Sequence, residues 1–200
     1  METPDLIVFG PQPSLPSQAC IKRLKHDLLH EPYLAPLKTA ISQLPKLWPL
    51  LIEVEPALSQ TKGKDVSHQL SRWMDSDSTL DDHNSSLNVF ATPFSVILQA
   101  VEYFSFLKDG LVPPPASKCG FEGMCTGFLT ASAAALSENV EDFAHYASVS
   151  LRLALCIGAF VDLNGVYSHL SKEYKAIVVR WEPKMGDASL LRTLSRHPEV

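Results

Sequence analysis

Two glycines placed symmetrically about a cysteine, Gly123-Met124-Cys125-Thr126-Gly127, constrain this chain more than any other feature. A glycine two residues before and another two after a central residue is what a sharp strand-to-helix turn requires. Without Cβ atoms at those positions, neighbouring backbone can come close to the residue at the tip. Phe128 to Leu136, which follow, are mostly small and suit a tightly packed helix. The N-terminal amides of that helix would face the Cys125 thiol, and a helix N-terminus favours negative charge there. The Thr126 amide, next to the nucleophile, could donate to a tetrahedral oxyanion. A nucleophilic cysteine of thioester chemistry is one reading of the string. A cysteine that merely fills core is the other, and on spacing alone the two stand level. Gly120-Phe121-Glu122 is a poor strand to precede such a turn, and Glu122 would be costly if it pointed inward.

The rest of the chain tells where the turn is embedded. Leu6 to Phe9 reads as a short buried strand closed by Gly10-Pro11, a turn that carries Gln12. From Cys20 to Leu51 apolar residues recur at helical spacing but are interrupted by prolines at 32, 36, 45 and 49, so consecutive helical pieces are expected rather than one rod. Val66 to Met74 suits a short helix, and the polar stretch Asp75 to Ser86 an exposed loop. Pro93 to Leu107 is apolar enough for a buried helix beneath the active centre, ended by Gly110. Pro113-Pro114-Pro115 reads as a stiff connector. Asn139 or Ser137 could cap a further helix reaching about Val161. Lys175 to Trp181 reads as a strand and Ala188 to Arg196 as a helix.

Length and charge exclude several classes. Two hundred residues with 46% hydrophobic and 20% charged side chains allow one domain with a sizeable core. A net charge of −5 and a pI near 5.8 leave no basic field for nucleic acid or an anionic membrane, and a cytoplasmic location is expected. The four cysteines, Cys20, Cys119, Cys125 and Cys156, show neither a CxxC pair nor zinc spacing and read as free thiols, with no metal site. Cys20 and Cys156 look like helix packing, and Cys119 like an ordinary thiol before the turn. Trp48, Trp73 and Trp181 read as core or rim anchors. The acidic stretch at Asp81-Asp82 lacks the glycine and terminal glutamate of a calcium loop. No basic leader and no long uninterrupted apolar run is present, so neither secretion nor a membrane span is expected.

Three stretches carry a family resemblance: IVFGPQ near the start, NVFATPFSVILQAVEYFSFL in the middle, and GFEGMCTGFLTASAAALS followed by SLRLALCIGAFV. In this order and spacing the chain resembles the N-terminal half of the starter unit:acyl carrier protein transacylase (SAT) domain of fungal non-reducing polyketide synthases. The resemblance implies an α/β fold of the malonyl-transacylase type: an α/β-hydrolase-like, helix-rich core with a ferredoxin-like insertion. Residues 1–172 would be a partial acyltransferase core and 173–200 the start of that insertion, with KAIVVRW its first strand. It implies that Cys125 accepts an acyl starter unit as a thioester, from acyl-coenzyme A or a fatty-acid synthase, and passes it to the phosphopantetheine of an acyl carrier protein. No bound cofactor is implied; the acyl thioester is substrate. Gln12 matches the glutamine whose neighbourhood completes the oxyanion hole with the Thr126 amide, and Arg152 lies on the helix where such enzymes often carry an arginine near the acyl group.

One departure counts against turnover. The family's general-base histidine lies downstream, and none of His26, His30, His68, His83, His145, His169 or His197 falls in its motif. His145 and His169 read as solvated or capping side chains. A non-catalytic accessory or docking protein is therefore the alternative, and so is a fragment of a longer synthase. Half of a two-subdomain fold would leave core surface uncovered and favour self-association.

Overall fold

A computed structural model describes residues 6–11, 16–75, 80, 84–108 and 119–168, with side chains as far as Asn164. The chain divides into two compact units, Met1–Leu163 and Asn164–Val200, and the described structure belongs almost wholly to the first. The expected features Gly110, Pro113-Pro114-Pro115, Lys175 to Trp181 and Ala188 to Arg196 lie outside the described residues.

The chain opens with strand β1 (Leu6–Phe9), followed by helices α1 (Gln18–His30), α2 (Ala35–Val54), α3 (Gly63–Asp75) and α4 (Asn88–Lys108). Strand β2 (Gly120–Gly123) then leads into α5 (Gly127–Ala135) and α6 (Val140–Ser168). Short 3₁₀ turns at Pro32–Leu34 and Pro56–Gln60 flank α2. This is a helix-rich α/β arrangement with a small sheet.

The apolar spacing between Cys20 and Leu51 becomes helix as expected, with Ile21, Leu24, Leu28, Leu37, Ile41 and Leu44 buried. Pro32 opens the 3₁₀ turn between α1 and α2, Pro36 sits in the first turn of α2, and Pro45 and Pro49 lie inside α2 and do not break it. Pro49 is exposed and Pro45 half-buried, so both rings sit away from the deepest packing. The neighbouring stripe of Ile41, Leu44 and Trp48 is buried, and α2 packs against α3. Tertiary packing here outweighs the donor that each proline removes.

Helix α4 is the core of the unit. Every residue from Val89 to Val101 is buried, as befits a helix apolar all round, and it packs on α1, α3 and α5. It begins five residues before Pro93, where a carboxylate from far along the chain caps it. Asp162 on α6 accepts hydrogen bonds from the Asn88 amide (2.9 Å), the Asn88 side chain (2.9 Å) and the Val89 amide (2.8 Å). A negative side chain at a helix N-terminus satisfies donors that have no partner within the helix. Gly158 allows this approach, since a Cβ there would lie 2.8 Å from the Val89 Cα.

Asn139 caps α6: its side-chain oxygen accepts from the Asp142 amide at 2.8 Å, and its side-chain nitrogen donates back to the Asp142 carboxylate at 2.8 Å. Ser137 instead donates to the Ala133 carbonyl. The helix continues past Val161 to Ser168. By length and composition α4 and α6 could each cross a membrane, although 83% of the α4 window is buried inside the protein, as in a core helix. Among the described residues of the stretch expected as an exposed loop after Asp75, Leu80 is buried; Asp81 and Asp82 lie outside the described residues.

Candidate active site

Strand β1 pairs in parallel with β2, placing Leu6 beside Gly120 and Phe9 beside Gly123. Gly120–Gly123 is thus a strand despite its poor propensity, because pairing with β1 supplies what its side chains do not. Neither strand is deeply buried. Leu6 and Val8 are exposed, and only Phe9 of β1 is buried, so the strand is half-solvated rather than the buried one that its apolar run suggested. Glu122 points to solvent, which removes the penalty that an inward carboxylate would incur.

The chain leaves β2 at Gly123, passes through Met124, Cys125 and Thr126, and enters α5 at Gly127. Cys125 has φ 56° and, among the described residues, is the one non-glycine in the left-handed region. Such a conformation costs an L-residue about 1–2 kcal/mol, so the surroundings must hold it. Three hydrogen bonds do so within the turn: Gly127 N–H to the Met124 carbonyl (3.0 Å), Phe128 N–H to that of Cys125 (3.1 Å) and Leu129 N–H to that of Thr126 (3.1 Å). A fourth, from the Met124 amide to the Phe9 carbonyl at 3.0 Å, ties the turn to β1.

Both flanking glycines are sterically required. A Cβ on Gly123 would lie 2.5 Å from the Gly127 carbonyl carbon, with Phe128 backbone nearer still. A Cβ on Gly127 would lie 2.8 Å from the carbonyl carbon of Phe9, and the carbonyl oxygens of Phe9 and Gly10 would be closer. The spacing of the two glycines is therefore the imprint of β1 and α5 closing on the turn.

Cys125 itself is exposed and free, and Met124 and Phe128 beside it are 63% and 65% exposed. Among the described residues no side chain hydrogen-bonds to its thiol and no acceptor is placed for the Thr126 amide. Thr126, the residue just before α5, is buried, and its hydroxyl has no partner among the described residues.

Beneath the turn, Tyr103 of α4 gathers rings from three elements: Phe9 of β1 at 5.5 Å between centroids, Phe121 of β2 at 6.4 Å and Phe143 of α6 at 4.8 Å. Edge-on aromatic contacts of this kind add to burial. Burial, and then the neighbouring Cys119, push the Tyr103 phenol up to about 12. Sequence reading identified α4 as the helix under the centre but not Tyr103 as its hub. The other thiols are away from the tip: Cys119 is buried, while Cys20 and Cys156 are half-buried on α1 and α6.

The remaining candidates fall as follows. Gln12 lies outside the described residues. Arg152 on α6 is half-buried and donates to Gln43 of α2 at 3.4 Å. His26 and His30 stack on each other along α1 with ring centroids 4.2 Å apart, and His145 stands on an exposed face of α6 beside Tyr146. His83, His169 and His197 are outside the described residues. Trp48 and Trp73 are core residues. Among the described residues no His, Cys, Asp and Glu group is arranged to hold a metal.

The chain is similar to known proteins along most of its length. A family profile described as "Starter unit:ACP transacylase in aflatoxin biosynthesis" matches residues 8–182. Among curated relatives, the 5-methylorsellinic acid synthase of Aspergillus terreus is 37% identical over 90% of this chain and 7% of its own length. The non-reducing polyketide synthase pkbA of Emericella nidulans is 36% identical over 98% of this chain and 8% of its own. The non-reducing polyketide synthase spyA of Aspergillus fumigatus is 33% identical over 98% of this chain and 11% of its own. The chain thus spans about a tenth of the length of the relatives it matches.

Proposed function

The chain belongs to the starter unit:ACP transacylase family, and from that premise we propose that Cys125 accepts an acyl starter unit as a thioester for transfer to an acyl carrier protein of a polyketide synthase. The observation that carries this reading is the left-handed φ of an exposed cysteine at a strand-to-helix turn. Strain of that kind persists only where the surroundings enforce it, and it concentrates at functional sites. In this reading the thiolate attacks the thioester carbonyl of acyl-coenzyme A or of an acyl-phosphopantetheine. The oxyanion accepts from the Thr126 amide and from the loop carrying Gln12, and the coenzyme thiolate departs, taking up a proton from solvent. The same steps in reverse load the carrier protein. Met124 and Phe128 offer apolar surface beside the thiol for an acyl chain, and Arg152 is assigned a supporting place near it. A malonyl-transacylase-like core over residues 1–172 and a ferredoxin-like insertion from 173 belong to the same proposal.

A second reading is favoured by one observation: among the described residues the histidine contacts seen, His26 with His30 and Asp27 and His145 with Tyr146, do not involve the Cys125 turn. On that reading the chain keeps the family's N-terminal core for docking to a synthase and does not turn over. Incubation with acetyl- and hexanoyl-coenzyme A, read by intact mass, separates the two. The acyl-transfer reading expects one acyl increment on the protein and none on Cys125→Ala. No adduct from either donor would overturn it in favour of docking.

A further inference from the structure

Helix α6 is apolar on both sides. Phe143, Ala147, Leu151 and Leu155 are buried in the core. On the other side Tyr146, Val149, Leu153, Ile157 and Phe160 are exposed, Tyr146 at 37%, Leu153 at 49% and the other three between them. At about 100° per residue these five fall within an arc of roughly 80° and run about 21 Å along the helix. The solvent face of a helix in a globular protein is ordinarily polar, yet from Tyr146 to Val161 every exposed position of α6 is apolar. The five side chains leave roughly 400 Å² uncovered among the described residues, a size at which exposed patches are often functional.

The order of the side chains points to what covers them. Counted from Leu153, Val149 and Ile157 lie four residues away on either side, and Tyr146 and Phe160 seven. The stripe thus reads aromatic, β-branched, leucine, β-branched, aromatic in both directions. A second copy laid antiparallel, with Leu153 on the two-fold axis, sets Leu153 against its equivalent, Val149 against Ile157 and Tyr146 against Phe160. Such self-complementarity is what a contact between identical patches requires; a lipid surface or an unrelated protein demands no symmetry of this kind. Two stripes together would bury about 800 Å², and their flanks, Val161 among them, bring the total near the roughly 1,200 Å² at which stable interfaces begin.

We propose that the Tyr146–Phe160 face of α6 is a dimer contact, through which two copies of this chain associate antiparallel, weakly and reversibly. The inference stands apart from the acyl-transfer reading and asks nothing of Cys125.

Sedimentation equilibrium of the full chain between about 1 and 100 μM, the range suited to a weak contact, tests it. The apparent mass is expected to rise with concentration from the 22.0 kDa of one chain towards twice that value. Leu153→Glu sets two carboxylates against each other at the axis and is expected to lower association at least about 100-fold, with an unchanged circular dichroism melt at low concentration. Ile157→Lys serves in its place should that variant not fold. A second arm uses a Cys125→Ala background oxidised with diamide. There Leu153→Cys should form a disulfide-linked dimer faster than Val149→Cys, because only at the axis do two copies bring the same residue's Cβ atoms within disulfide reach, about 4 Å. The mass of a single chain at every concentration overturns the inference. So does a dimer that Leu153→Glu leaves intact, cross-linking no faster at 153 than at 149, or an assembly that grows beyond two chains. None of these results bears on acylation of Cys125.

Discussion

Gly127→Ala sets two effects of opposite sign against each other. At the start of an α-helix, alanine in place of glycine restricts the unfolded chain and, with room for its methyl, stabilises by a few tenths to about 1 kcal/mol. The room is missing. The new Cβ would lie 2.8 Å from the Phe9 carbonyl carbon, with the Phe9 and Gly10 oxygens nearer, against an ordinary separation of about 3.5 Å or more. Backbone on both sides would have to part by roughly 1 Å, and no side-chain rotation relieves the contact, because the obstructing atoms are main chain. Overpacking of this kind costs about 1–3 kcal/mol, so the net expectation is a destabilisation of about 1–2 kcal/mol. For a chain of this size that lowers Tm by about 2–8 °C. The Met124 N–H to Phe9 bond spans the same gap, so the thiol should also lose its registration with β1, and acylation should fall by at least about 10-fold. Circular dichroism melts of wild type and variant, with acylation followed by intact mass, measure both. A Tm equal to or above wild type would show that β1 does not close on the turn and would refute the steric account of the glycine.

Two further expectations follow from the same region. Cys125→Gly should melt about 2–4 °C above Cys125→Ala, because glycine removes left-handed strain worth about 1 kcal/mol net while both variants lack the thiol; a lower melt for the glycine variant would contradict the strained turn. The Tyr103 phenol, held up near 12 against an ordinary 10.0, should stay protonated in the folded protein while the unfolded chain ionises. Stability should thus be full below pH 10 and decline as pH rises from about 10 towards 12, with Tyr103→Phe losing that part of the decline; phenolate absorbance in the folded protein near pH 10.5, absent from Tyr103→Phe, would count against it.

Features written in local sequence were readable beforehand. The helical recurrence of Leu24, Leu28, Leu37, Ile41 and Leu44 marked residues that are buried, Asn139 was one of two caps considered, and the glycine spacing about Cys125 corresponded to a real steric demand. What escaped notice depends on partners far away in the chain. Gly120–Gly123 pairs with β1 beside it, and Pro45 and Pro49 are tolerated in a helix whose buried stripe packs into the core. The Asp162 cap on α4 and the Gln99 bond to Gly10 join residues 74 and 89 positions apart. No periodicity or propensity encodes such pairs, since each is a choice among many polar side chains that only the packed backbone makes. Gln12 and Arg152 were reached through family resemblance; one lies outside the described residues and the other bonds to α2.

The pairing of Leu6 with Gly120 also has a consequence in time. A strand at the very beginning must wait for one made more than a hundred residues later, while α1 to α4 can assemble from near neighbours as they emerge. Contacts so distant carry the largest closure entropy and tend to form late. Until β1 finds its partner, the turn lacks the Met124 N–H to Phe9 bond that ties it to the sheet. In the acyl-transfer reading, any reactivity that depends on this tie would appear only once residues more than a hundred positions apart have met.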